Sequence, residues 1–172
     1  MKINYSMKQF VLIVMAFFAI TTSTFAQSKV AHINVQQLLS DMPDMKAAQD
    51  ELKKLENTYR ADIESSVAEL QKKLVAYQNE AASKTAEENK ARADELQNAE
   101  RNIAAAEQAA MQELQRKQQE LFAPISEKAK EAIEKVAKDQ GFDYVIDSSP
   151  GLSLLVANGT DLLPSVKKEL GF

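Results

Sequence analysis

Between Pro43 and Gly141 the chain contains no glycine and a single proline, Pro124. Along the first part of this stretch apolar residues recur at Met45, Ala48, Leu52, Leu55, Tyr59, Ile63, Val67, Leu70, Leu74, Tyr77 and Ala81. The steps are threes and fours with a four-residue stutter midway, which is a coiled-coil seam. A seam of that length specifies a long helix, and its one apolar stripe needs a second helix to cover it. Pro43 suits the first helical turn, where a missing N–H does no harm.

The seam lapses around "AASKTAEENK", where Thr85 followed by Glu88 reads as a capping box that starts a new helix. A turn near 82–86 is therefore expected. A thinner stripe follows through Leu96, Ala99, Ile103, Ala106, Ala110, Leu114, Leu121, Ile125, Ala132 and Val136, and Gly141 is placed to end it in a left-handed cap. Residues 43–140 thus read as an antiparallel helical hairpin reaching about 60 Å. Its distal seam is mostly alanine, so the arm has little core and should bend toward its tip. Pro124 interrupts the second helix near the base. It is a candidate hinge, with a fixed exit angle as the alternative.

The two ends have strand character. In "KVAHINV", residues 29 to 35, Ala31, Ile33 and Val35 share one face and Val30, His32 and Asn34 the other. "QQLLSDMP" then makes a short turn or helix. Beyond Gly141, "DYVID" and "LSLLVAN" have strand composition and flank the turn tetrapeptide "SSPG". A terminal helix, "DLLPSVKKEL", follows, with Asp161 as its N-cap and Pro164 in its first turn. Because the hairpin returns the chain to its start, the N-terminal strand is expected to pair with 143–147 or with 153–157. Residues 27–42 and 141–172 would then form one β-rich body, with Val30, Ile33, Tyr144, Val145, Ile146, Leu154 and Val156 as its core and assembly surface. A body of about 50 residues is near the lower limit for a self-sufficient core. The sequence has no cysteine to staple it, which leaves association.

Several functional classes are disfavoured. Residues 1–26 read as a secretory leader, with Lys2 and Lys8 ahead of the apolar run "FVLIVMAFFAI" and a small-residue end at "TFA". Without those two lysines the chain carries 19 basic against 25 acidic residues, a formal net of −6. An acidic exported chain is not a nucleic-acid binder. One histidine, His32, and no cysteine cannot build a multi-residue nitrogen or sulfur metal site. All four glycines, from Gly141 onward, lie past the helices, so no glycine-rich phosphate cradle exists. The carboxylates are interleaved with lysines at helical spacing, which is a solvated face. No catalytic constellation, cofactor or metal is expected.

The "KVAHINV" strand, the charged and alanine-rich hairpin, the junction "AIEKVAKDQGFDYVIDSS" and the closing "DLLPSVKKEL" together resemble the Skp/OmpH family of envelope chaperones. The resemblance spans essentially the whole chain after the leader, and the helix-to-strand junction is its most specific part. It implies an α+β, mostly α fold: a long helical-hairpin tentacle on a small β-sheet body, three copies forming a jellyfish-like homotrimer. It also implies a periplasmic holdase that works without ATP, shielding unfolded outer-membrane proteins in the cavity between tentacles. The alternative function is a coiled-coil envelope scaffold or spacer. Well-known members are basic, whereas residues 79–95 here hold Glu80, Glu87, Glu88, Asp94 and Glu95 against Lys84, Lys90 and Arg92. That balance argues against membrane or lipopolysaccharide contact at the tips. Met111, Phe122 and Ile133, spaced by 11 and off the seam, return to nearly one helical face. They are the candidate client-facing residues, with a place in the base core as the alternative for Phe122 and Ile133.

Overall fold

A computed structural model describes residues 28–152 and 154–172. The expected leader at 1–26 lies outside the described residues. Strand β1, Val30–Ile33, buries Ala31 and Ile33 at 1% exposure each and turns Val30 and His32 the other way. The strand ends earlier than its alternation through Val35 implies. Asn34 leaves it, and its side-chain oxygen accepts the Gln37 N–H at 2.8 Å, which caps helix α1, Val35–Asp41. A short polar side chain before "VQQLL" competes with one more strand residue and wins, because it satisfies an otherwise free helix donor.

Helix α2 runs from Pro43 to Glu80, a 3-10 turn covers Ala81–Ser83, and helix α3 spans Ala86–Asp139. The capping box is formed in full: Thr85 Oγ1 accepts the Glu88 N–H at 3.1 Å, and Glu88 Oε2 accepts the Thr85 N–H at 2.8 Å. Helix α3 continues through Pro124 without interruption, although the missing N–H leaves the Glu120 carbonyl without its helical partner. Its end is sharp. Gly141, at φ 72°, lets the Phe142 N–H reach back to the Ala137 carbonyl at 2.9 Å.

Strand β2, Tyr144–Asp147, pairs with β1 in parallel, Val30 opposite Tyr144 and Ile33 opposite Asp147. A parallel neighbour needs a long crossover, and here the whole helical hairpin is that crossover. Strand β3, Thr160–Asp161, lies parallel on the other edge of β1, giving the order β2-β1-β3. The β-hairpin expected across "SSPG" is therefore corrected. Residues 154–158 carry no strand, despite their composition. The chain crosses the end of the sheet instead and enters β1's free edge from its starting end, because Leu162 and Val166 of the closing segment must reach the core, where both are 0% exposed. Helix α4, Leu163–Leu170, starts one residue later than expected; Asp161 still takes the Leu163 N–H at 2.9 Å.

The core sits at the foot of the hairpin. Ile33, Leu38, Met42, Leu162 and Val166 are its largest fully buried side chains, joined by Met45, Ala48, Ile125, Ala129, Ala132, Val136 and Ala137. Each large side chain of that set stabilises by about 1.5–3 kcal/mol. No polar or charged residue among those described is buried. The helices cover one face of the sheet only. Ile33 is core and Val145 packs against it, but Val30, Tyr144, Ile146 and Val156 are exposed in the protomer and Leu154 is half-buried. Placing those four in the core of a single body is thus a correction: strand parity sends Val30, Tyr144 and Ile146 to the uncovered face.

Candidate functional site

Two surfaces of this molecule show apolar side chains to solvent: the uncovered face of the sheet and the grooves of the arm. On the sheet, Val30, Tyr144 and Ile146 stand together by register; outside its strands, Leu155 is 96% exposed. The far end of that sheet is tied by a small polar knot. Ser149 gives its hydroxyl proton to Asp147 at 2.6 Å, and the Ser149 and Val35 N–H groups donate to the same carboxylate at 2.9 and 3.3 Å. Burial pushes the Asp147 carboxyl up, but these hydrogen bonds outweigh it and hold the group below its ordinary value. His32 joins in through Nδ1, 3.2 Å from Ser148 Oγ. The knot fixes where β2 ends against the start of α1.

Along the arm, burial declines from foot to tip. Met45 and Ala48 are buried, the seam from Leu52 to Tyr77 is mostly half-buried, and Val67 is 47% exposed. Midway, a cleft of about 760 Å³ opens between α2 and α3. Its cause is the composition of the facing stripes: α3 offers Ala99, Ala106, Ala109 and Ala110 around a single Ile103 where α2 offers Tyr59, Ile63 and Leu70. Alanines cannot fill the space that these larger side chains hold open. At the foot, a second groove of about 740 Å³ is lined by Val35, Leu39, Ile133, Phe142 and Val145.

The tip is closed by polar groups. Lys73 Nζ and Tyr77 Oη of α2 both donate to Glu95 of α3, at 2.9 and 2.7 Å. Glu80 receives Arg92 at 2.6 Å, and the Arg92 guanidinium lies 4.5 Å from the centre of the Tyr77 ring. The Tyr77 hydroxyl, then the Lys73 ammonium, hold the Glu95 carboxyl below its ordinary value, and Glu95 in turn raises both Lys73 and Tyr77. Beside the turn, Asn89 Nδ2 donates to the Ala81 carbonyl at 3.0 Å.

The structure separates the three candidate contact residues. Met111 is 68% exposed and lines a shallow groove with Leu52 and Leu114, whereas Phe122 and Ile133 pack against the core at the foot. Sequence reasoning missed the tip latch, the Asp147 knot and the mid-arm cleft. The latch was readable in principle: with the turn placed, counting back from it sets Tyr77 opposite Arg92 and Glu95. The knot was not, since it joins residues 34–36 to 147–149 through a parallel register that no local pattern announces. Among the described residues, no helix is long and apolar enough to cross a membrane, and no group of histidines or carboxylates is placed to hold a metal.

Residues 29–170 match the model of a family described as outer membrane protein (OmpH-like). A crystal structure from Caulobacter crescentus CB15, described as a candidate outer membrane chaperone (OmpH-like), shares 16% identity with the chain. The two superpose with a TM-score of 0.75, over 84% of this chain and 85% of that one. At that identity the likeness shows the fold. A comparison with curated proteins finds no match.

Proposed function

The chain belongs to the OmpH-like family of outer membrane proteins, and on that premise we propose that it is a periplasmic holdase chaperone that shields unfolded outer-membrane proteins without ATP. The observation that carries this reading is the distribution of the core. The buried cluster lies at the foot, with Ala110 the one buried residue farther out among those described, while most of a 38-residue helix and the distal half of its partner project from it with apolar grooves that the chain does not fill itself. A rigid spacer gains nothing from an unfilled seam, but a surface for unfolded chains does.

Three copies joined through the sheet complete the proposal. The uncovered face of Val30, Tyr144 and Ile146 is apolar, Leu155 and Val156 are exposed as well, and a monomer rarely leaves such a patch in water. Assembly there would set three arms around one cavity. Pro124 sits just above the buried foot, where a missing backbone hydrogen bond allows the arm to swing as a unit. Spin labels on the arm tips should report a narrower spread of distances in Pro124→Ala; an unchanged spread removes the hinge. Met111, exposed on the flank of the arm, is the contact residue this arrangement retains most directly, whereas Phe122 and Ile133 pack against the core at the foot.

The deciding experiment dilutes a urea-unfolded β-barrel protein into the purified chaperone and follows light scattering and complex mass together. Suppression of aggregation, with a complex of three chains per client, is the expected result. Scattering unaffected at every ratio would return the molecule to the scaffold reading.

A further inference from the structure

The link into β3 carries the one asparagine followed by glycine in this chain, Asn158 before Gly159. An asparagine amide is chemically labile, and its reaction depends on whether the next backbone nitrogen can reach the side chain. At this pair both groups are free to meet. Asn158 and Gly159 are exposed and precede the strand, and among the described residues neither the Asn158 side chain nor the Gly159 N–H has a hydrogen-bond partner. With no Cβ on Gly159, nothing crowds its nitrogen. The other described asparagines are held. Asn57, Asn79, Asn89, Asn98 and Asn102 lie inside α2 or α3, where the following N–H is bound in the helical ladder. Asn34 caps α1: its Oδ1 accepts from Gln37 at 2.8 Å, and the Val35 N–H that follows it donates to Asp147 at 3.3 Å.

We propose that Asn158 is a site of self-modification, where the chain converts its own amide to aspartate or isoaspartate, and that the isoaspartyl form loosens β3. Hydroxide removes the Gly159 amide proton, and the nitrogen attacks Asn158 Cγ. The new C–N bond closes a five-membered succinimide; the Cγ–Nδ2 bond breaks, and that nitrogen leaves as ammonia with a proton from water. Water then opens the ring. Attack at Cγ restores the main chain with an aspartate side chain, whereas attack at the backbone carbonyl carbon routes the chain through Cγ as isoaspartate. Isoaspartate adds a methylene to the main chain two residues ahead of Thr160, which stands opposite Ala31. The link already runs close to β1, since a Cβ on Gly159 would lie 3.5 Å from the Val30 carbonyl oxygen. Strand β3 has only two residues, and beyond it the Leu162 N–H donates to the His32 carbonyl at 2.9 Å. A lengthened link therefore meets little resistance in shifting the register. None of this depends on the holdase reading.

The test ages the purified protein at neutral and mildly alkaline pH and follows each asparagine by peptide mass spectrometry, with isoaspartyl methyltransferase labelling to identify isoaspartate. Conversion at Asn158 should outpace that at every helical asparagine and rise in proportion to hydroxide. Gly159→Ala is the control that the structure permits. Gly159 does not have a positive φ, and the added methyl would meet Val30 and His32 at 3.5 and 3.8 Å, ordinary contact distances. That variant should melt with the parent and lose most of the modification, because the methyl crowds the attacking nitrogen. Amide exchange at Leu162 should quicken in the aged protein. In Asn158→Asp, which gains the charge but no methylene, it should keep the parent rate. Conversion no faster at Asn158 than at Asn57, or undiminished in Gly159→Ala, would overturn the site. Leu162 exchange that stays unchanged after conversion, or quickens equally in Asn158→Asp, would overturn the loosening of β3 by the longer link.

Discussion

At the foot of the hairpin, α2 and α3 meet through Met45, Ala48, Ile125, Ala129 and Ala132, all buried; at the far end the same helices meet through Lys73, Tyr77, Glu80, Arg92 and Glu95, each reached by solvent. The first arrangement is non-directional and depends on area removed from water. The second is directional and depends on a few hydrogen bonds in a high-dielectric setting, where each adds little stability but fixes register. Between them lies the cleft, where neither operates. The difference explains how a long arm can be firmly rooted, correctly paired at its end and still yielding in the middle.

The contrast breaks most visibly at the foot. Leu162 is fully buried although it comes from the far end of the sequence, so Leu162→Ala leaves a cavity among β1, α1 and α4. A loss of about 2–5 kcal/mol is expected, read as a lower urea midpoint by far-ultraviolet circular dichroism. A tip substitution should leave that midpoint almost unmoved. Were Leu162→Ala equally silent, stability would have to reside in the arm or in assembly, and the comparison would collapse.

Next in size is a charge on the uncovered sheet face. Ile146 is 43% exposed in the protomer, so Ile146→Asp costs the single chain little. In the proposed trimer that face would be covered by the other copies, and there the same carboxylate should weaken association by at least about tenfold, with helicity retained. Sedimentation velocity at several concentrations checks it. An assembly of undiminished mass would move the interface elsewhere. Val145 gives a different outcome, because it packs against the core and a charge there should disturb folding and assembly together.

How far the sequence led follows the same division. The hairpin was legible because a helical seam is a local pattern repeated many times over, and Thr85 with Glu88 marked its return. The sheet was legible only in part: the pairing of β1 with residues 143–147 was expected and is formed, but the third strand was not. "LSLLVAN" has strand composition, yet the third strand is Thr160–Asp161, two polar residues held in place by the burial of Leu162 next to them. Composition reports what a segment tolerates, whereas register is decided by where its anchors are. The same reason split Met111 from Phe122 and Ile133: helical spacing put them on one face, but only the foot has a core to receive that face.

At the turn itself, Thr85→Ala removes one half of the capping box and should cost about 1 kcal/mol of local helix stability. The global unfolding midpoint is expected to stay put, while amide exchange quickens over residues 86–90. A shift of the whole transition instead would mean that tip and foot unfold as one unit, which sharpens the comparison in the opposite direction.

The smallest effect is the response of the latch to acid. Glu95 accepts from Tyr77 and then from Lys73, so its folded carboxyl lies below the ordinary 4.5. A depressed carboxyl stabilises the folded tip at all pH above the unfolded value, and that contribution disappears as pH falls from 4.5 through the lower folded value. Glu88 behaves in the same way, held down first by the Thr85 N–H. Lys73 runs in the other direction: raised above 10.5, its share is present at neutral pH and is lost only as pH climbs through the folded value. The latch should therefore be intact at neutral pH and loosen below about pH 4.5, more readily in salt because its groups are reached by solvent. The absence of native cysteine makes this accessible to spin labels on cysteines introduced at 79 and 90, either side of the turn. Acidification should broaden their distance distribution. Glu95→Gln should broaden it already at neutral pH and leave a smaller acid response, the residue belonging to Glu88. If Glu95→Gln kept the full acid response, the capping box alone would hold the tip, and the hydrogen bonds of Tyr77 and Lys73 would be incidental to its register.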